Sequence, residues 1–287
     1  MVTTAPKTIP LHKPVDLVDI SSTEPAPRKL SVVPFGEGGR GKTRFILTAP
    51  GPIGVIPLNR KCRPTIENFM SSVCPGKKIY FPKQDLIRHG NPMKTAMMDP
   101  YCENKLVKVG VSEPACCARH YYRWHVNRVK DAVWTMAENP DIRTIAIDDG
   151  TQLYEDILYA HYGRANRISD EKTVYGPPNQ EMIDIINSID HKHLIFPHQA
   201  KDEYKGKTAT GRDTVKGFKE VGYYVSVLAE FTRDDAKQDF HLSVRMCQEN
   251  AGLHGDGGRN LLKNDDISFL NLAIKIFGED VDYAEYM

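Results

Sequence analysis

Residues 35 to 45, "FGEGGRGKTRF", hold four glycines and place a lysine and a threonine directly after the last of them. Gly36, Gly41, Lys42 and Thr43 satisfy G-x-x-x-x-G-K-[ST] at every fixed position. Without side chains in the way, successive backbone N–H groups of such a loop can turn toward phosphate oxygens, and a helix beginning near Lys42 adds its positive end. Gly36, Glu37, Gly38, Gly39, Arg40, Gly41, Lys42 and Thr43 are therefore the candidate phosphate-binding set. The Lys42 ammonium would reach the β- and γ-phosphates of ATP, and the Thr43 hydroxyl would ligate Mg2+. A plain glycine turn accounts for the glycines but not for the Lys-Thr pair that follows them.

A magnesium nucleotide also needs a carboxylate at the tip of a nearby strand. "IRTIAIDD", residues 142 to 149, is an apolar run ending in two acids, and Asp148 stands where strand becomes loop. The alternative use for such a pair is to cap the next helix, which begins near Gln152.

The elements that must position these groups are legible from periodicity. "KLSVVPF", residues 29 to 35, reads as a buried strand feeding the loop, with Pro34 taken as its end. A brief helix stopped by Pro50 follows, and "IGVIPLN", residues 53 to 59, reads as a second strand. Residues 60 to 113 show scattered Pro and Gly and little periodicity, which suggests a basic insertion after that strand. Val126, Val129, Val133 and Met136 mark an amphipathic helix from about 115 to 138, and "EMIDIINSI" marks another at 181 to 189. "HLIFPHQ" is a further apolar run, "KDEYKGKTATGRDTVKGF" has the look of a mobile loop, and "GYYVSVLAEF" with "DFHLSVRMCQ" suggests an antiparallel pair. Strands alternating with helices predict an α/β fold with a mainly parallel sheet covered on both faces. The expected organisation is an arm over residues 1–28, a core over 29–250 and a C-terminal segment over 251–287.

The net charge of +1 is unevenly spread: between Arg60 and Lys130 there are 14 Lys+Arg against 5 Asp+Glu, leaving 24 against 32 elsewhere. Interleaved with Phe69, Tyr80, Phe81, Tyr101, Tyr121, Tyr122 and Trp124, that surplus suits a phosphate backbone and stackable bases, or else a solvated face. The opening residues lack the apolar core of a secretory signal and no stretch has the length of a membrane span, so a cytoplasmic chain with no membrane partner is expected. Six cysteines without an export signal read as reduced thiols. A zinc site from Cys102, Cys116, Cys117 and His120 or His125 has a spacing that fits no common ligand pattern.

Three segments, "GEGGRGKTRFILTAPGPIGVI", "IRTIAIDDGTQL" and "HLIFPHQAKDEY", make residues 29 to 250 similar to the RecA-core P-loop ATPases encoded by bacteriophages, small recombinase-like proteins associated with single-strand annealing. The resemblance implies a RecA-like P-loop core with a twisted parallel sheet, ATP between subunits, and a homo-oligomeric ring or filament on single-stranded DNA, in the host cytoplasm. It also implies that Asp148 holds Mg2+ through water, that Gln199 senses the γ-phosphate with His198 as a possible partner, and that residues 201 to 216 contact DNA. The family's glutamate beyond the second strand is missing, because that neighbourhood reads "PLNRKCRP". Asp149 or Glu67 would have to substitute, and hydrolysis should be slow or absent. By analogy with related ring ATPases, Arg245 is the candidate finger toward a neighbouring subunit's phosphate. The expected function is an ATP-binding, ATP-hydrolysing recombination or annealing protein acting on single-stranded DNA. The alternatives are a non-hydrolysing ATP-binding DNA module and a small-molecule kinase.

Overall fold

A computed structural model describes residues 28–87, 113–162, 176–205, 208–278, 281 and 283–286. Its strands are β1 Ser31–Gly36, β2 Ile53–Pro57, β3 Ile79–Tyr80, β4 Thr144–Asp148, β5 His193–Ile195, β6 His198–Lys205, β7 Thr208–Val215, β8 Val227–Asp234, β9 Asp239–Cys247 and β10 Leu262–Lys263. The helices are α1 Lys42–Ile46, α2 Cys62–Val73, α3 Glu113–Glu138, α4 Gly150–Tyr162, α5 Gly176–Asn187, α6 Phe269–Phe277 and α7 Tyr283–Tyr286.

Among the described residues the strands form one sheet in the order β10-β9-β8-β1-β5-β4-β2-β3, with β6 continuing beside β1 and pairing with β7. β1, β2, β3, β4, β5 and β8 run parallel, while β8-β9, β9-β10 and β6-β7 are antiparallel. Alternation along β1 explains the layering, since successive strand side chains point to opposite faces. Val33 and Phe35 face a core with Val126, Val129 and Val133 of α3, Leu153 and Ile157 of α4, and Met182 and Ile185 of α5. Leu30 and Val32 face a second core with Phe45 and Ile46 of α1, Ile66 of α2, and Phe269, Leu272 and Ile276 of α6. The fold is therefore α/β, a mostly parallel sheet with helices on both faces, as expected. Each fully buried aliphatic or phenyl side chain contributes about 1.5–3 kcal/mol, which fixes the strand register. Among the described residues no helix is long and apolar enough to cross a membrane.

Four local expectations change. Residues 62–73, expected to lack periodicity, form α2, with Cys62 and Ile66 buried. Pro64 reads as a breaker but occupies the first turn, where a missing N–H costs nothing. Residues 201–205 and 208–215, from the stretch 201–218 expected to be a mobile loop, are strand and belong to the β6-β7 hairpin, with a register shift between Asp202 and Tyr204. Only the foot of the hairpin, at Ala200 and Val215, meets the core, and most of β7 is exposed, so no apolar alternation betrays it. Pro34 lies inside β1 rather than at its end. Phe196 N donates to Val32 O at 2.9 Å on the β5 side. Pro34, two residues on, turns its nitrogen to that same side, where β5 has ended and β6 begins only at His198. Finally, α6, in the segment beyond residue 250, packs into the core. Ser268 caps α6 by accepting from Asn271 N at 3.2 Å, and Phe269, Leu272, Ala273 and Ile276 form its buried stripe.

Candidate nucleotide and metal site

The glycine loop joins β1 to α1 at the carboxyl ends of the parallel strands. Three of its glycines are required by geometry. A Cβ on Gly36, whose φ is 154°, would come within 2.3 Å of the Phe231 carbonyl oxygen. Gly41 caps α1 in the left-handed region at φ 94°. Gly39 is left-handed too, at φ 76°, and Gly38 alone joins an ordinary φ to open space on the side a Cβ would occupy. Lys42 Nζ folds across the loop and donates to the carbonyl oxygens of Gly36 at 2.6 Å and Glu37 at 2.7 Å. Burial pulls its ammonium below the ordinary lysine range, and the neighbouring Asp148 and Asp149 act against that.

Thr43 and Asp148 meet although 105 residues separate them: Thr43 Oγ1 donates to Asp148 Oδ2 at 3.0 Å. Asp148 Oδ1 accepts from Asn59 Nδ2 at 3.1 Å, and the Cys62 thiol bonds to the same carboxylate. Asn59 uses its other amide atom too, since Oδ1 accepts from the backbone N–H groups of Lys61 at 3.0 Å and Cys62 at 2.9 Å. One side chain thus caps the start of α2 and steadies the carboxylate. Asp149 Oδ1 accepts from Gln152 N at 2.6 Å, so the capping role weighed for this pair belongs to Asp149 alone. Both carboxyls are held above their ordinary range, Asp148 by burial and then the charge of Asp149, Asp149 by burial foremost.

These residues fit a magnesium nucleotide. Two buried carboxylates beside a hydroxyl and a lysine form a site whose charge a divalent cation would balance. Mg2+ keeps most of its waters and takes only one or two protein oxygens, so Thr43 and Asp148 suffice. Among the described residues no group of three or more His, Cys, Asp or Glu could hold a metal.

Gln199 pairs in register with Gly36, placing the expected sensor beside the loop. Its Nε2 donates to Asp149 Oδ2 at 3.2 Å, and its Oε1 accepts from Lys216 Nζ at 3.3 Å. His198 is fully buried and turned away from that task. Its Nδ1 donates to the Lys216 carbonyl at 3.1 Å, leaving Nε2 against Gly150 with no partner among the described residues. Burial pushes its pKa down to about 4, so the ring is neutral and ties down the base of the hairpin.

Other candidates lie elsewhere. Arg245 pairs with Glu230 Oε2 at 2.6 Å in a polar cavity of about 610 Å³ between β7 and the β8-β9 pair, rather than among the loop residues. Glu67 pairs with Arg63 at 2.9 Å on the exposed part of α2. Glu37 and Arg40 pair with each other at 2.6 Å, so only their backbone is offered to the loop's interior. Of the weighed zinc ligands, Cys102 and the side chains of Cys116, Cys117 and His120 lie outside the described residues. His125 is buried against Asp156 at 3.3 Å. Much of the basic surplus is spent internally: Arg123 and Lys130 both pair with Glu181, and Lys77 donates to the carbonyls of Leu47 and Ala49. The aromatic content of that stretch survives on α3, where Trp124 is 54 % exposed with the Arg128 guanidinium 4.5 Å from its ring centroid. Sequence reasoning passed over Asn59 and Cys62 as partners of Asp148. The one available signal was an Asn three residues before a helix turn containing proline.

No family model matches the chain, and no curated protein matches it. Among solved structures, the chain is similar to a RadB recombinase at 11 % identity and TM-score 0.38, over 82 % of this chain and 84 % of that one. It is also similar to a KaiC-like protein from the hyperthermophilic archaeon Pyrococcus horikoshii OT3 at 12 % identity and TM-score 0.36, over 80 % and 83 %. At that level of likeness neither assigns a site or an activity to this chain, and the site rests on its own geometry.

Proposed function

We propose that the protein binds ATP with Mg2+ in the glycine loop, hydrolyses it slowly, and acts as an oligomer on single-stranded DNA in recombination or annealing. The observation that carries this is the 3.0 Å contact between Thr43 and Asp148 beside Lys42. A glycine turn alone has no reason to bring a hydroxyl, a lysine and a buried strand-tip carboxylate together.

In this role the loop amides and Lys42 hold the phosphates, while Thr43 and Asp148 hold the cation. Bound Mg2+ supplies charge neutralisation for the transferring phosphoryl group. Asp149 accepts from Gln199, which in turn reaches the hairpin through Lys216, so the phosphate end of the site and the DNA-facing element share one hydrogen-bonded chain. At the base of that hairpin Lys201 feels burial and then the like charges of Lys219 and Lys216, and Tyr223 is 81 % exposed nearby in sequence. Crowded lysines favour a phosphodiester backbone, and an exposed ring favours a stacked base.

Calorimetric titration of ATP with Mg2+ tests the nucleotide half: wild type should release heat and Lys42→Ala should bind at least about tenfold more weakly. Absence of heat with the wild type overturns the proposal. A binding-only role is favoured by one specific observation, that Asn59 occupies the end of β2 where a base would serve and spends its amide on Asp148 and α2. Phosphate release stimulated by single-stranded DNA decides for turnover, and nucleotide binding without release decides for the binding-only role.

A further inference from the structure

We propose that Phe240, at the start of β9, is the platform on which the base of the bound nucleotide stacks, which favours a purine nucleoside triphosphate. This rests on the nucleotide role of the glycine loop and adds the half of the site that the loop cannot supply. Amides and Lys42 account for phosphates; nothing in the loop recognises a base.

A Cβ built on Gly41 lies 3.9 Å from Cδ1 of Phe240, so the ring reaches the residue immediately before Lys42 and Thr43. Phe45 and Phe231, the other rings at this end of α1, are 1 % and 2 % exposed and pack on one another beneath the loop. Phe240 keeps part of its surface open. A triphosphate held by the loop leaves its ribose and base outside it, beside the opening of α1, where this ring stands.

The platform is held rigidly. Phe240 N donates to Asn264 Oδ1 at 2.8 Å, and Asn264 Nδ2 donates to Asp239 Oδ1 at 3.0 Å. The Arg233 guanidinium lies over the ring, 5.1 Å from its centroid. The β8-β9 hairpin that carries the ring is tied to the loop by Arg40, which pairs with Asp235 at 3.1 Å and with Glu37 at 2.6 Å. A ring fixed beforehand stacks a flat base at little entropic cost, and the larger purine face gains more contact than a pyrimidine.

The test compares ATP with inorganic tripolyphosphate, both with Mg2+, on the full chain. Phe240→Leu keeps apolar bulk against Gly41 but removes the stack, and Phe240→Trp restores an aromatic face. Phe240→Leu should weaken ATP binding about tenfold and leave tripolyphosphate binding unchanged, while Phe240→Trp should recover ATP affinity and show quenched fluorescence with ATP but not with tripolyphosphate. If wild type binds both ligands and Phe240→Leu binds ATP equally well, or loses both ligands equally, the platform is refuted while the loop's role stands. If wild type binds neither, the nucleotide role itself fails and the platform with it.

Discussion

Gln199 and Asp149 are joined side chain to side chain, Nε2 to Oδ2 at 3.2 Å, across the tips of β6 and β4. The same Gln199 holds Lys216 at the far foot of the β6-β7 hairpin. Under the proposed function, a polar side chain with one end at a strand-tip carboxylate and the other at a projecting hairpin would couple nucleotide to DNA. Gln199→Ala should therefore leave ATP affinity within about tenfold of wild type, because a single part-buried hydrogen bond contributes about 0.5–1.5 kcal/mol. The same variant should abolish the change in single-stranded DNA affinity on adding ATP. Fluorescence anisotropy of a labelled oligonucleotide with and without ATP reads this directly; an undiminished ATP effect refutes the coupling.

Asn59 serves Asp148 with its amide nitrogen and α2 with its oxygen. Asn59→Ala removes both and should cost about 1–2 kcal/mol in urea unfolding, within the range of a lost helix cap. Asn59→Ser keeps an oxygen able to cap and should recover most of that stability. If stability returns but Mg2+-dependent ATP affinity does not, the two duties are separable and the contact to Asp148 is the one that matters for the site.

Acid sensitivity follows from two buried imidazoles. Burial lowers both His193 and His198 from 6.5 to about 4, His193 despite the opposing pull of Glu285. Their folded values lie below the unfolded ones, so each contribution to stability is complete above pH 6.5 and is lost as pH falls toward 4, where the unfolded chain alone takes up the proton. The full loss is up to about 3 kcal/mol per histidine. Urea midpoints should fall between about pH 7 and pH 5, and His193→Gln should make that fall clearly shallower. Midpoints that stay level across this interval contradict the burial argument.

Gly36→Ala places a methyl group within 2.3 Å of the Phe231 carbonyl oxygen at a φ of 154°. Neither the strand register of β1 on β8 nor the loop can yield without disturbing the other. Loss of folded protein, or a fall of more than about 3 kcal/mol in unfolding free energy, is the expected outcome. Gly38→Ala, into open space, should be close to neutral for stability and serves as the control.

The sequence by itself determined what depends on neighbours along the chain. The glycine spacing, the Lys-Thr pair, the apolar strand ending at Asp148 and the helical stripe of Val126, Val129 and Val133 are local patterns, and each stands where it was expected. Local pattern failed where an element is mostly exposed, as along β7, or where a proline sits in the first helical turn, as at Pro64. Charge counting is silent on pairing for a related reason: a run of basic residues does not reveal that Arg123 and Lys130 converge on Glu181 from another helix.

Only the tertiary structure decided which residues share a site. Asn59 with Asp148, Gln199 with Asp149 and Phe240 with Gly41 are joined by packing of the parallel strands and the β8-β9 hairpin, not by spacing along the chain. It also drew α6 into the core beside Val32 and Phe45. The physical reason is common to all of these: a turn or a helix is specified by a few adjacent dihedrals. A side-chain contact between distant strands exists only once burial of their apolar faces has fixed the register.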